Sequence, residues 1–411
     1  MRTSIYVITL LALLVSCNNN KSKKTIPDSF VTISINKESI TDSLLFTDMF
    51  DSVAFIKLEK TDESLMSTID RIEVTHDRIY VLSSFRDRAV FVFKRNGKFI
   101  FKINNVGRGP GEFIRPADFY VDEKNKNILI YSSYPARLIK YDYNGKFIDE
   151  KSIGLYCMGF TVLDDNLYIY TCGNKTRSRE GESIEFEIIK TDMNGKILDK
   201  YLPYSSSNKG YLYCINYSPG GITNLYNKGK EALFSMLYCD TIYSVTQTKF
   251  SPKYFIDFNE YTLPASFIKK HIKDPMLSSK ISDSHYANSL RHAMENNKIL
   301  YFEFSRKNRK LIDRTYLVFY KKKDKELIVP KRFIDNMCFF EPDFISMYKN
   351  SIIGIKSPFF LMRYFKNETS KLNEKEREIR FQNPNFKKAQ EFVNSLSEDD
   401  NPVVVLLKLK E

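Results

Sequence analysis

KRNGKFI, residues 94–100, returns as DYNGKFI at 142–148 and as DMNGKIL at 192–198. The three Asn-Gly pairs, Asn96-Gly97, Asn144-Gly145 and Asn194-Gly195, are 48 and 50 residues apart. Asn-Gly between two apolar, β-rich runs is a strong hairpin signal, and it predicts a type I′ turn, in which both residues take positive φ. A hairpin that recurs at a period of this size marks an array of like units. For an all-β unit that means the blades of a propeller.

Working outward from the turns, each period divides into four short strands. The first reads IDRIEVTHD, RIYVLSS, AVFVFKRNG and KFIFKIN; the second PADFYVDEKNK, NILIYSS, ARLIKYDYNG and KFIDEKSI. The third, from YCMGFTVLDD to KILDKYLPY, repeats the scheme, and three weaker units follow. The sixth lacks a fourth strand, while VAFIKLE (Val53 to Glu59) precedes the first unit unpaired. The expectation is therefore an all-β, six-bladed β-propeller of four-stranded antiparallel blades, closed by Val53 to Glu59 as the outermost strand of the last blade. Closure removes the exposed edges of an open array. Pro264 to Ser284 and Glu368 to Ser397 break the β pattern and read as helical insertions, before blade five and within blade six.

A chain of 411 residues exceeds what one compact core usually supports, but a repeat array escapes that limit because each unit packs on its neighbours. The content is 43% hydrophobic and 14% aromatic, which excludes disorder. The formal charge is +13. In an exported protein that charge speaks for solubility or for attraction to anionic surfaces and ligands, and no nucleic acid is expected as a partner.

Export is read from the amino terminus. Arg2 is followed by an apolar run from Ile5 to Val15, too short to span a bilayer, and then by Leu14-Val15-Ser16-Cys17, which resembles the lipobox of bacterial lipoproteins. The division is thus 1–17 lipoprotein signal peptide, 18–52 tether and lead-in, and 53–411 propeller, with Cys17 acylated and the chain held to the membrane by its lipid. Removing Cys17 leaves five cysteines, an odd number without a C-x-x-C pair, better read as small buried hydrophobes than as a zinc site. No metal and no cofactor are expected.

In a meander blade the A-B and C-D turns share one face, and the B-C and D-A connections share the other. The first set is short throughout. The second holds Gly107 to Phe113 (GRGPGEF), Thr171 to Ser183, Tyr201 to Gly220 and both insertions. Elaborated loops on a rigid scaffold concentrate binding, so that face is expected to carry function. Phe85, Arg86, Arg88, Arg108, Glu112, Tyr134, Arg137, Arg179 and Arg314 fall there and form the expected ligand-binding set; guanidinium groups suit carboxylate, sulfate or phosphate. The alternative is that exposed loops are basic in a basic protein. GRGPGEF lacks the Lys-Ser/Thr of a phosphate-binding loop and precedes a strand, so it reads as a structural turn in which Arg108 and Glu112 pair.

Taken together, the lipobox, the run from Asn96 to Asp118 (NGKFI, GRGPGEF, P-x-D), the repeated GKFI and the closing NPVVVLLKLK resemble the six-bladed β-propeller lipoproteins of Bacteroidetes, related to NHL-repeat propellers. The resemblance implies the fold and an envelope location; the family itself is largely without assigned activity. The functional expectation is an envelope-anchored binding or scaffold module for an acidic ligand, glycan, peptide or envelope protein. The alternative is a propeller enzyme, a lyase or hydrolase acting on glycan or peptide. His76, His271, His285 and His292 form no H-E-x-x-H pair and no G-x-S-x-G elbow occurs, so catalytic residues are not identified. The tether NNNKSKK lacks the acidic run that the resemblance associates with surface export, which favours the periplasmic face of the outer membrane.

Overall fold

Strict alternation such as Arg71-Ile72-Glu73-Val74 puts apolar residues on one side of a strand and charges on the other. In the computed structural model, which describes residues 30–178, 181–204, 225–236, 238–271, 274, 276–307, 313–337 and 343–410, runs of this kind form six four-stranded antiparallel sheets. The protein is a six-bladed β-propeller. Its innermost strands are Arg71–Val74, Pro116–Asp122, Gly159–Leu163, Leu225–Asn227, Asn288–Glu295 and Asp343–Tyr348, one from each blade. Buried clusters lie between neighbouring blades all around the ring, as where Leu82 and Val92 of blade one meet Phe119 and Ile130 of blade two. A blade therefore has no complete core by itself.

The ring closes as the strand count expects. Phe50–Lys57 pairs antiparallel with Val403–Leu409 and is the outermost strand of blade six. Phe50, Val403, Val404, Val405 and Leu407 are fully buried there, and burial contributes about 1.5–3 kcal/mol for each such side chain. The lead-in forms strands that its sequence had not suggested. Val31–Ser34 adds in parallel to Phe250–Asp257 of blade four, Ile40–Thr41 to Glu326–Pro330 of blade five, and Leu44–Leu45 to Phe333–Ile334. Residues 31–57 thus cross the outer edges of blades four and five before completing blade six.

The Asn-Gly turns differ from the type I′ expectation. Gly97, Gly145 and Gly195 have φ of 87°, 81° and 84°, whereas none of the three asparagines has positive φ. The Gly97 and Gly145 amides donate to Lys94 and Asp142 three residues back, and the register shifts beside each turn. This is a type I turn followed by a glycine bulge. In the second and third turns an aspartate selects the form: Asp142 Oδ1 accepts from the amides of Asn144 and Lys146, and Asp192 Oδ1 from those of Asn194 and Lys196.

Between blades four and five lie the helices Ala265–His271 and Leu277–Ser282. Blade six carries three, Pro358–Ser370, Glu374–Phe381 and Pro384–Asn394, between its second and third strands. Asn373 caps the middle one through a capping box with Glu376, and Phe365, Phe386, Ala389 and Val393 pack the bundle onto the blade. Among the described residues no helix is long and apolar enough to cross a membrane.

Candidate functional site

On the loop-rich face one of the expected arginines, Arg137, is tied into the fold. Arg137 is 8% exposed; its guanidinium donates to Glu150 Oε1 at 2.7 Å, to the Gly109 carbonyl at 3.0 Å, and to the Glu112 carbonyl. Tyr141 Oη donates to the Gly111 carbonyl, and Glu150 accepts from the Gly111 amide. Glu112 turns inward to accept from the Gly109 amide at 2.8 Å, and its carboxylate makes that contact rather than the expected ion pair with Arg108. The glycines leave room for this packing: a Cβ at Gly107 would meet Glu112 Oε2 at 2.0 Å, and one at Gly111 would meet Phe147 at 2.7 Å. GRGPGEF is thus a structural latch between blades one and two.

Arg86, Arg88 and Arg108 are exposed, and Phe85 is covered by the Arg115 guanidinium at 4.3 Å. Tyr134, 73% exposed, precedes Pro135 across a cis peptide bond. Arg314 is half-buried on the third strand of blade five, opposite Arg306, whose guanidinium stacks on Tyr261 at 3.8 Å. Arg179 and Cys17 lie outside the described residues. No described cavity unites these side chains.

A cavity of about 1040 Å³ opens instead on the other face, at the propeller axis. Its wall is the carboxyl ends of the innermost strands and the tight A-B turns of blades one, two, four, five and six. The expected residues lie on the opposite face, and the cavity opens on the face of the short turns. Short turns around a ring leave its mouth uncovered.

Charge is unevenly spread around the wall. On the side of blades one and two stand Glu73, Asp122 and Glu123, with Arg71 and Lys124 as the cations among them. The Arg71 guanidinium is shared between Asp118 and Glu73, the latter at 3.3 Å. Burial pushes the Glu73 carboxyl up to about 7 against the pull of Arg71, with Asp118 and Glu123 adding repulsion. Its side chain still exposes 28% of its surface and so remains accessible from the cavity.

Blades four, five and six present the opposite sign. Glu295, whose side chain is fully buried, accepts from Lys253 and Lys322 at 2.5 Å each, from Tyr254 Oη at 2.6 Å, and from Lys228. Against the cost of burial, these donors hold its carboxyl down at about 2. Glu231 receives Lys228 and Lys253 as well. Three lysines therefore meet two carboxylates, and Lys230, Lys298 and Lys349 extend the positive side along the rim. Tyr226 faces the interior between the two sides, within electrostatic reach of both Glu295 and Glu73.

None of the cavity residues was in the expected set. The signal available was the alternation itself: in R-I-E-V and in D-F-Y-V-D, charged and phenolic side chains alternate with core residues on what become inner strands. Asp118, from the P-x-D run, accepts from the Phe160 amide of blade three at 2.9 Å and pairs with Arg71 of blade one, so it joins three blades. Among the described residues no group of three or more His, Cys, Asp or Glu side chains is arranged to hold a metal ion.

A solved structure of a protein from Bacteroides fragilis NCTC 9343, named as exported, is similar over 93% of this chain and 100% of its own, with 18% identity and a TM-score of 0.72. A member of the DUF4221 family from Bacteroides vulgatus aligns over 88% and 97%, with 9% identity and a TM-score of 0.47. The first likeness supports the fold; the second adds nothing to it. No curated protein matches the chain. One family model, described as a domain of unknown function (DUF4934), matches residues 30–408.

Proposed function

The chain belongs to the DUF4934 family, and from that premise we propose that it is a binding module of the cell envelope, anchored by an acylated Cys17, that takes its ligand into the axial cavity. The observation that carries this reading is the cavity itself. At about 1040 Å³ it lies at the upper end of small-ligand pockets, roughly 300–1,000 Å³, and fixed charges from five blades converge on it. The exposed arginines of the opposite face remain a second surface, suited to an acidic envelope partner, because Arg86, Arg88 and Arg108 stand in solvent. An exported neighbour of like fold supports the location.

The test is affinity capture from envelope extract with the full chain in detergent, comparing wild type with Asn297→Trp/Lys349→Trp, which fills the cavity mouth, and with Arg86→Glu/Arg88→Glu. Loss of the captured ligand in the first variant and retention in the second is the expected outcome. The reverse pattern moves the site to the arginine face. For the anchor, Cys17→Ala is expected to abolish incorporation of labelled fatty acid. Unchanged labelling contradicts it.

A further inference from the structure

We propose that the axial cavity is a receptor for a short zwitterionic peptide, whose ammonium end meets Glu73, Asp122 and Glu123 while its carboxylate end meets the lysines of blades four to six. This rests on the cavity being the binding site.

On the blade one and two side, Arg71 is the cation that faces Glu73, and it is already shared with Asp118, while Asp122 and Glu123 stand a few residues further along the same wall. That side is short of positive charge. On the facing wall the imbalance is reversed, since Lys228, Lys230, Lys298 and Lys349 line it against Glu231 and the buried Glu295, and these carboxylates also pair with Lys253 and Lys322, which do not line the cavity. In a six-bladed ring blade one lies across the axis from blade four, and blade two from blade five, so the two imbalances face each other over the cavity. A ligand of one sign satisfies one wall and is repelled by the other. A ligand with both signs at opposite ends satisfies both.

Size selects the length. A sphere of the cavity's volume is about 13 Å across, and an extended chain advances about 3.3–3.6 Å per residue, so about four residues fill the span and three, about 10–11 Å, bridge the walls with room left for a hydrogen-bonded contact. A free amino acid, with its two charges on one carbon, reaches only one of them. The groups that face Glu73 are Arg71 on its own strand, Asp118 and Tyr120 of blade two, Glu123 in the adjoining turn, and Tyr226 across the axis. An ammonium group entering there adds to the counter-charge that Glu73 has only in part from the shared Arg71 and draws it into its ionised form, releasing a proton near neutrality.

The probes are trialanine, N-acetyl-trialanine, trialanine amide and free alanine, titrated calorimetrically against the full chain in detergent. Trialanine is expected to bind, and blocking either end to weaken it at least tenfold, with alanine weaker than the tripeptide. In Glu73→Gln the penalty for N-acetylation is expected to shrink several-fold while that for amidation is unchanged; in Lys230→Gln/Lys349→Gln the pattern reverses. Affinity of the wild type is expected to rise between about pH 6 and 7.5 and to be flat in Glu73→Gln. Absence of tripeptide binding, or binding indifferent to both blocking groups, overturns the peptide proposal. If capture from envelope extract still depends on an open cavity in that case, the binding-module reading stands and only the ligand class falls.

Discussion

Glycine at the Asn-Gly turns is required twice over. Gly97 needs positive φ, and a Cβ there would meet the Lys57 carbonyl oxygen at 2.0 Å, because this turn of blade one docks on the closing strand of blade six. Gly145 and Gly195 repeat the arrangement against Phe101 and Ile153, each beside the outer strand of the preceding blade. Gly97→Ala is accordingly expected to destabilise by about 2–4 kcal/mol in urea unfolding, combining backbone strain with displacement of the closing strand. Asn96→Ala, whose residue keeps ordinary φ, is expected to cost less than about 1 kcal/mol. At the same scale, Glu187 is fully buried, gives one oxygen to the Gly173 amide and leaves Oε1 without a partner; burial pushes its carboxyl up to about 7. Because the folded-state value lies above the unfolded one, this group favours the fold below about pH 4.5 and loses that contribution as pH rises to about 7. Glu187→Gln is expected to remove this component, so that the variant is the more stable above pH 7 by about 1–3 kcal/mol and shows no gain at pH 4; melting curves across that range decide it.

Among the elements, the closing strand and the latch hold the ring for different reasons. Phe50–Lys57 supplies blade six with its outer ladder, so a chain lacking residues 1–60 is expected to lose its single cooperative unfolding transition. A chain lacking only residues 1–45 loses parallel additions to blades four and five and is expected to keep that transition at a lower midpoint. The latch depends on one buried cation. Arg137→Ala removes the charged donor shared by Glu150 and two loop carbonyls and is expected to cost about 3 kcal/mol, with protease cleavage appearing within residues 107–112. Wild-type resistance at that loop in the variant would show that the latch is held by Tyr141 and Glu150 without it.

For the molecule as a whole, what could be read in advance followed the range of the interactions. Turn chemistry and strand alternation act over a few residues, so the period, the six blades and both insertions were legible in the chain alone. Closure was legible as well, since one spare strand and one missing strand have a single economical pairing. The turn type was not, because Asn-Gly fits both a two-residue turn and a glycine bulge, and Asp142 and Asp192 decide between them only through hydrogen bonds formed in the folded hairpin. Nor could the axial cavity be foreseen. Its groups sit on short strands and turns that look featureless one at a time, and Glu73, Lys228, Glu295 and Lys349 are far apart in sequence. The amino-acid sequence by itself determined the repeat and hence the propeller, because those depend on local backbone preference and on which side of each strand is apolar. Only the tertiary structure decided which charges share a wall and what sign it carries, because electrostatic partners are chosen by distance in space, and ring closure brings the blades to a common axis.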